Sequence, residues 1–68
     1  MRKLGTVKWF DSEKGFGFIL PDDGSRDIIF QREHIDSPSK TLDTGQRVEY
    51  EISLGRKGPE AIKIHSIS

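Results

Sequence analysis

The stretch that most constrains the fold is residues 14–19, where two phenylalanines alternate with small or aliphatic residues: Lys14, Gly15, Phe16, Gly17, Phe18 and Ile19. Successive side chains of a strand point to opposite faces, so Phe16 and Phe18 share one face and Gly17 and Ile19 the other. Periodicity alone leaves either face as the buried one, because phenylalanine is usually buried. The neighbouring lysines and the availability of Ile19 for the core favour outward phenylalanines. Two large exposed rings indicate a surface that binds something.

The rest of the chain predicts a small all-β domain. Short apolar runs are separated by clusters of Gly, Pro, Asp and Ser, which predicts strands at residues 4–10, 16–20, 27–31, 46–53 and 61–67. One helical turn is expected at residues 32–35, because Pro38 interrupts any longer helix. Five short strands leave exposed edges, and closure removes them. We therefore predict a five-stranded antiparallel β-barrel of the oligonucleotide/oligosaccharide-binding (OB) type, with residues 1–68 as one domain.

Alternation within three strands assigns residues to the core. Ile28 and Phe30 share one face of the third strand and are expected inside. The fourth strand has one polar face, and its apolar face carries Val48, Tyr50 and Ile52. In the fifth strand, strict alternation places Ile62 and Ile64 opposite His65.

The first strand leaves one assignment open. Strict alternation would group Val7 with Trp9 and place Phe10 on the opposite face. A β-bulge, which is common in short barrel strands, would change that partition. Phe10 is therefore either a core or a surface residue.

Composition narrows the classes of function. The 11 basic and 11 acidic residues give zero formal charge, so long-range attraction does not by itself drive the protein onto a polyanion. There is no cysteine for a disulfide or a thiolate site. No apolar stretch is long enough for a signal peptide or a membrane span, and we expect a cytoplasmic protein without membrane contact.

No catalytic or metal-binding pattern is evident. His34 and His65 lack metal-ligand spacing, and no nucleophile constellation, P-loop or dinucleotide fingerprint occurs. We expect no enzyme activity, no cofactor, no metal and no small-molecule substrate. A basic loop with Arg56 and Lys57 lies before the last strand.

Residues 5–19 closely resemble the N-terminal signature of the bacterial cold-shock proteins, including their first ribonucleoprotein motif. Residues 40–42, 45–48 and 58–61 resemble later landmarks of that family, so the similarity covers almost the whole chain. The resemblance implies a barrel that binds single-stranded RNA and DNA on one face with little sequence preference. It also implies an RNA chaperone that regulates transcription or translation.

The resemblance carries over site residues by position. Lys8, Trp9, Phe16 and Phe18 match the family's binding residues, Phe10 matches an aromatic at the edge of the platform, and Lys57 falls where a basic residue is usual. The expected nucleic-acid-binding set comprises Lys8, Trp9, Phe10, Lys14, Phe16, Phe18, Ile29, Gln31, Arg32 and Lys57.

Five positions depart from the family pattern. Ile29, Gln31 and Arg32 occupy its second motif, where an aromatic, a histidine and a phenylalanine are usual, and Ser39 replaces a loop phenylalanine. Asp11 also replaces a common asparagine. Missing stacking positions imply weakened binding.

A second hypothesis remains open. The exposed Ile29, the balanced charge and the lost loop phenylalanine also fit a barrel that has become a protein-interaction or self-association module. We expect a monomer with at most weak self-association.

Overall fold

A computed structural model describes residues 2–55 and 57–67, and its regular structure there consists of strands and one short 3-10 helix. The strands are β1 (Lys3–Asp11), β2 (Phe16–Pro21), β3 (Ile28–Gln31), β4 (Arg47–Gly55) and β5 (Gly58–Ser66). The 3-10 helix, Arg32–His34, follows β3 directly. The predicted all-β class is confirmed, and each predicted strand overlaps an observed one. Arg56 of the basic loop lies outside the described residues.

The strands form a closed barrel in the order β1-β2-β3-β5-β4, with β4 returning to β1. Four of the five neighbouring pairs are antiparallel. The pair β3–β5 is parallel, through Ile29 opposite Glu60 and Phe30 opposite Ala61. The predicted OB-type barrel is confirmed, and this short parallel contact is the one that closes it.

The core fills the inside of the barrel. It consists of Val7, Ile19, Ile28, Phe30, Ile35, Leu42, Val48, Tyr50, Ala61 and Ile64. Ile19 is completely buried, which leaves Phe16 and Phe18 on the outer face of β2. Ile52 differs from its two predicted companions, Val48 and Tyr50. It is 39% exposed because it lines an open depression at one end of the barrel.

A bulge in β1 decides the open assignment of the first strand. Val7 pairs with Ile19 and Trp9 with Phe18, so Lys8 is the extra residue between them. Because a bulge reverses the alternation that follows it, Val7 faces inward while both Lys8 and Trp9 face outward. Phe10 then turns toward the core, where its ring stacks on Phe30 at 5.6 Å with an interplanar angle of 15°.

A second irregularity corrects the alternation predicted for the last strand. Glu49 pairs with His65 and Glu51 with Ile62, so β5 has one more residue than β4 between these pairs. Lys63 takes up the extra residue with a φ of 50°. As a result Ala61 and Ile64 are the buried residues of β5, and Ile62 is only half-buried.

One arginine ties three elements together. The guanidinium of Arg47 donates two 2.6 Å hydrogen bonds to the Asp22 carboxylate and one of 3.0 Å to Thr6 Oγ1. This arrangement links β4, β1 and the turn after β2. The hydrogen bond from Arg47 lowers the pKa of Asp22, whereas the pKa of Asp23 is lowered mainly by a hydrogen bond from the Ser25 hydroxyl.

Among the described residues, no helix is long and apolar enough to cross a membrane.

Tyr50 offers a test of core packing. Its side chain is 1% exposed, and its hydroxyl has no hydrogen-bond partner among the described residues. Burial, with Asp23 and Asp22 nearby, raises the pKa of Tyr50 above its ordinary value. Because an unsatisfied buried hydroxyl destabilises the folded state, Tyr50→Phe is expected to raise the free energy of unfolding by about 1–3 kcal/mol. Thermal unfolding followed by circular dichroism measures this as a higher Tm.

The matched variant is Tyr50→Leu, which removes the hydroxyl together with part of the ring volume. It is expected to lower Tm, because it leaves a cavity among the core residues. A Tyr50→Phe protein less stable than the parent would contradict the assignment of an unpaired hydroxyl.

Candidate functional site

Three aromatic rings form a contiguous cluster on the outer face of β1 and β2. The centroid of the Trp9 ring lies 5.4 Å from that of Phe16 and 5.4 Å from that of Phe18, with interplanar angles of 68° and 62°. The two phenylalanine rings are 6.2 Å apart at 79°. These edge-to-face contacts hold the rings against one another. We call Trp9, Phe16 and Phe18 the aromatic cluster.

The cluster faces outward because of two local features. The bulge at Lys8 brings Trp9 onto the outer face, opposite Phe18. Gly17 between the phenylalanines leaves room on the inner face, where an added Cβ would overlap the Trp9 carbonyl oxygen and lie 2.9 Å from the Phe30 ring. Because Ile19 and Phe30 already fill the core, the three rings of the cluster are not needed there and are available for binding.

β3 extends the same outer face without adding a ring. Ile29 pairs with Phe18, and Gln31 pairs with Phe16. Both side chains are exposed, Ile29 to 37%. The one aromatic residue of β3, Phe30, is completely buried. The surface therefore passes from aromatic on β1 and β2 to aliphatic and amide on β3.

Phe10 does not join the aromatic cluster. It is half-buried and packs against the core through Phe30. Of the aromatic residues expected at the site, it is the one whose ring lies on the other side of the sheet. As strand neighbours, Trp9 and Phe10 point to opposite faces, and the β1 bulge between Val7 and Trp9 makes the face of Phe10 the inner one.

The turn between β1 and β2 borders the cluster at one end. Asp11 Oδ1 accepts hydrogen bonds of 3.0 Å from the backbone N–H groups of Glu13 and Lys14. The carboxylate thus organises the turn as an asparagine side chain would. Arg32 lies against this turn, and its backbone N–H donates to the Gly15 carbonyl at 2.8 Å.

The basic side chains of the site fall into two groups. Lys8 Nζ lies 2.8 Å from Asp27 Oδ2, so a carboxylate already partners this cation. Lys14, Arg32 and Lys57 form no ion pair within residues 2–55 and 57–67. Lys57 lines a shallow groove with Ile29 and Gln31, on the far side of β3 from the aromatic cluster.

Asp27 is a site neighbour that sequence reasoning missed. It lies 19 residues from Lys8, and no local spacing connects the two. Only the pairing of β2 with both β1 and β3 brings them together. Its carboxylate reduces the positive charge beside the cluster.

The remaining residues singled out in the sequence lie away from the cluster. Ser39 bonds to Ser37 and Thr41 within the long loop. His65 Nδ1 is 3.3 Å from Asp36, and His34 Nε2 is 3.9 Å from Glu60. Among the described residues, no group of three or more His, Asp or Glu side chains is placed to hold a metal ion.

Comparison with known proteins gives one family and several relatives. Residues 3–67 match the family described as the "Cold-shock" DNA-binding domain. The cold shock-like protein CspB of Yersinia pestis is 52% identical over 64 residues, which is 93% of this chain and 91% of that protein. The cold shock-like protein CspE of Escherichia coli (strain K12) is 52% identical over 61 residues, which is 88% of each chain.

A solved structure shares the fold at lower identity. The structure of drosophila Unr CSD456 matches with a TM-score of 0.85 and 22% identity, covering 100% of this chain and 27% of that one. At this identity the likeness concerns the fold alone.

Proposed function

The chain belongs to the cold-shock domain family, and from this premise we propose that its aromatic cluster is the stacking surface for single-stranded RNA and DNA. Proteins of this family bind nucleic acid and are not enzymes. We propose that this one acts as a cytoplasmic monomer. Its expected binding residues are Lys8, Trp9, Lys14, Phe16, Phe18, Ile29, Gln31, Arg32 and Lys57, with Phe10 supporting the sheet from beneath.

The observation that carries the proposal is the outward placement of the three contacting rings. Trp9 is 37% exposed and touches both phenylalanines, in a small domain that has other residues for its core. Every base has a π-face, so successive bases stack on such rings with little regard to sequence. Unpaired bases are accessible to this surface, whereas bases stacked within a duplex are not.

The β3 side of the surface lacks aromatic rings. We therefore propose that nucleic acid binds more weakly than it would if all three strands carried rings. β3 offers Ile29 and Gln31 where further rings would have extended the cluster. Each base stacked on a ring contributes about 1–3 kcal/mol. We propose that affinity is concentrated on the nucleotides that lie over Trp9, Phe16 and Phe18.

Binding of this kind is sufficient for chaperone activity. A protein that binds only the open strand shifts a hairpin equilibrium toward that strand by mass action, without ATP. We propose that regulation of transcription or translation follows from such melting.

The test is titration of an oligothymidine while Trp9 emission is recorded. We expect quenching, because Trp9 belongs to the stacking surface. Lys14, Arg32 and Lys57 form no ion pair among the described residues, so with these three cations log K is expected to fall against log[salt] with a slope of about −2. A steeper slope would place additional basic residues in the interface.

Size-exclusion mass measurement on the same sample separates the second hypothesis. That hypothesis rests on the exposed Ile29, the balanced charge and the lost loop phenylalanine, and the structure adds Leu54, an apolar side chain that is 82% exposed. A monomer that binds the oligonucleotide supports the proposal. A stable oligomer without quenching at low salt would replace it with a self-association module.

A further inference from the structure

A depression lies at the end of the aromatic cluster, between the β1–β2 turn and the residues that follow β3. Its lining consists of Glu13, Lys14, Gly15, Gln31, Arg32, Glu33 and Lys40. Gln31 pairs directly with Phe16, so the depression begins where the stacking surface ends. A base stacked on Phe16 would therefore extend one edge toward these polar side chains.

The side chain of Arg32 is positioned over the turn. A Cβ built on Gly15 would lie 3.8 Å from Arg32 Nε and 3.9 Å from its Cζ, so the guanidinium packs against this glycine. Neither Arg32 nor Gln31 makes a side-chain hydrogen bond or ion pair within the described residues. The planar donors of Arg32 and the amide of Gln31 are thus unoccupied beside Phe16.

The mixture of charges distinguishes the possible occupants. A phosphate would meet three cations, Lys14, Arg32 and Lys40, of which Lys40 Nζ already donates to the Ile35 carbonyl oxygen at 2.8 Å. It would also meet the carboxylates of Glu13 and Glu33, which repel an anion. Guanine can bind both the cationic and the anionic side chains of the depression. Its O6 and N7 atoms accept two parallel hydrogen bonds from an arginine fork, and its N2 amino group donates to a carboxylate.

We propose that the depression is a guanine subsite, in which Arg32 binds O6 and N7 of a base adjacent to the one stacked on Phe16 or of that base itself. This inference rests on the proposed function, because it needs a strand bound on the aromatic cluster. The subsite would add a base preference to a surface that otherwise selects little between bases. It lies at the end of β3, the strand whose outer face carries no ring. In a single strand the relevant base edge is free to bind.

The experiment scans one deoxyguanosine through each position of an oligothymidine and measures Kd by Trp9 quenching, with deoxyadenosine scanned in parallel. At one or two positions we expect deoxyguanosine to bind about tenfold more tightly than deoxyadenosine. Replacing that guanine by 7-deazaguanine, which lacks the N7 acceptor, is expected to abolish most of the preference.

The diagnostic variant is Arg32→Lys, which keeps the charge and removes the planar fork. The readout is the ratio of the Kd for the deoxyadenosine oligonucleotide to the Kd for the deoxyguanosine one, and this ratio is expected to fall from about ten to about one in the variant, whatever its affinity for plain oligothymidine. The matched control is Arg26→Lys, because Arg26 is an exposed arginine that makes no ion pair within the described residues and lies on the β2–β3 loop, away from the depression.

The outcomes separate the two proposals. Equal affinity for all oligonucleotides, or a guanine preference that persists in Arg32→Lys or with 7-deazaguanine, would overturn the guanine subsite and leave the stacking surface intact. If plain oligothymidine also fails to bind, the proposed function fails with it.

Discussion

Replacing Phe18 by alanine is expected to raise the Kd for oligothymidine by about 5- to 150-fold, which is the loss of one base stack worth about 1–3 kcal/mol. The ring centroids of Phe18 and Trp9 are 5.4 Å apart, so removing the Phe18 ring also frees the indole of Trp9 to change orientation. Isothermal titration calorimetry gives the Kd independently of Trp9 emission, which the substitution alters.

A leucine at the same position separates stacking from packing. Phe18→Leu keeps an apolar side chain of similar reach and loses only the ring, so it is expected to weaken binding almost as much as alanine does. Leu4→Ala is the surface control, since Leu4 is exposed on β1 outside the aromatic cluster. Binding by Phe18→Leu as tight as that of the parent would show that the ring does not stack on bases.

The β2 strand shows why much of this surface was predictable from sequence. Phe16 and Phe18 alternate with Gly17 and Ile19, and the period of a strand is fixed by backbone geometry. Once Ile19 is assigned to the core, the phenylalanines have to face outward. The same reasoning placed Ile28 and Phe30 inside, and the structure confirms both.

The bulges mark where prediction from period fails. One extra residue at Lys8 reverses the faces of Trp9 and Phe10, and one at Lys63 moves burial from Ile62 to Ala61. A bulge forms where one strand has an extra residue opposite its partner. Its position depends on how the two strands pair, and the sequence of one strand alone does not determine that. Alternation can therefore assign residues only between bulges.

The charged surroundings of the site were less predictable still. The pair Lys8–Asp27 and the depression at Arg32 each join segments that are distant along the chain. The sequence shows equal numbers of basic and acidic residues. It does not show which basic side chains form ion pairs in the folded protein. That distinction is set by the barrel. Lys14 and Arg32 at the end of the cluster, and Lys57 across β3 from it, form no ion pair among the described residues.

The largest effect on stability is expected from Gly17→Ala. An added methyl group would overlap the Trp9 carbonyl oxygen and lie 2.9 Å from both Phe10 Cα and Phe30 Cζ. Backbone and a completely buried ring cannot yield cheaply, so β1 and β2 have to move apart. Overpacking of this kind costs about 1–3 kcal/mol, and occasionally more. For a domain of this size, each kcal/mol corresponds to a loss of about 4–8 °C in Tm.

Gly55→Ala is the matched control, because its added Cβ would meet the Gly58 carbonyl oxygen at 3.7 Å, an ordinary contact. Both glycines lie in strands, so both substitutions reduce the freedom of the unfolded chain alike. Gly55→Ala is therefore expected to leave Tm unchanged or slightly higher. Gly17→Ala should lower Tm and, because the obstructed atoms belong to Trp9 and Phe10, also disturb Trp9 emission. Equal melting of the two variants would mean that β1 and β2 are not held as closely at the aromatic cluster as the barrel requires.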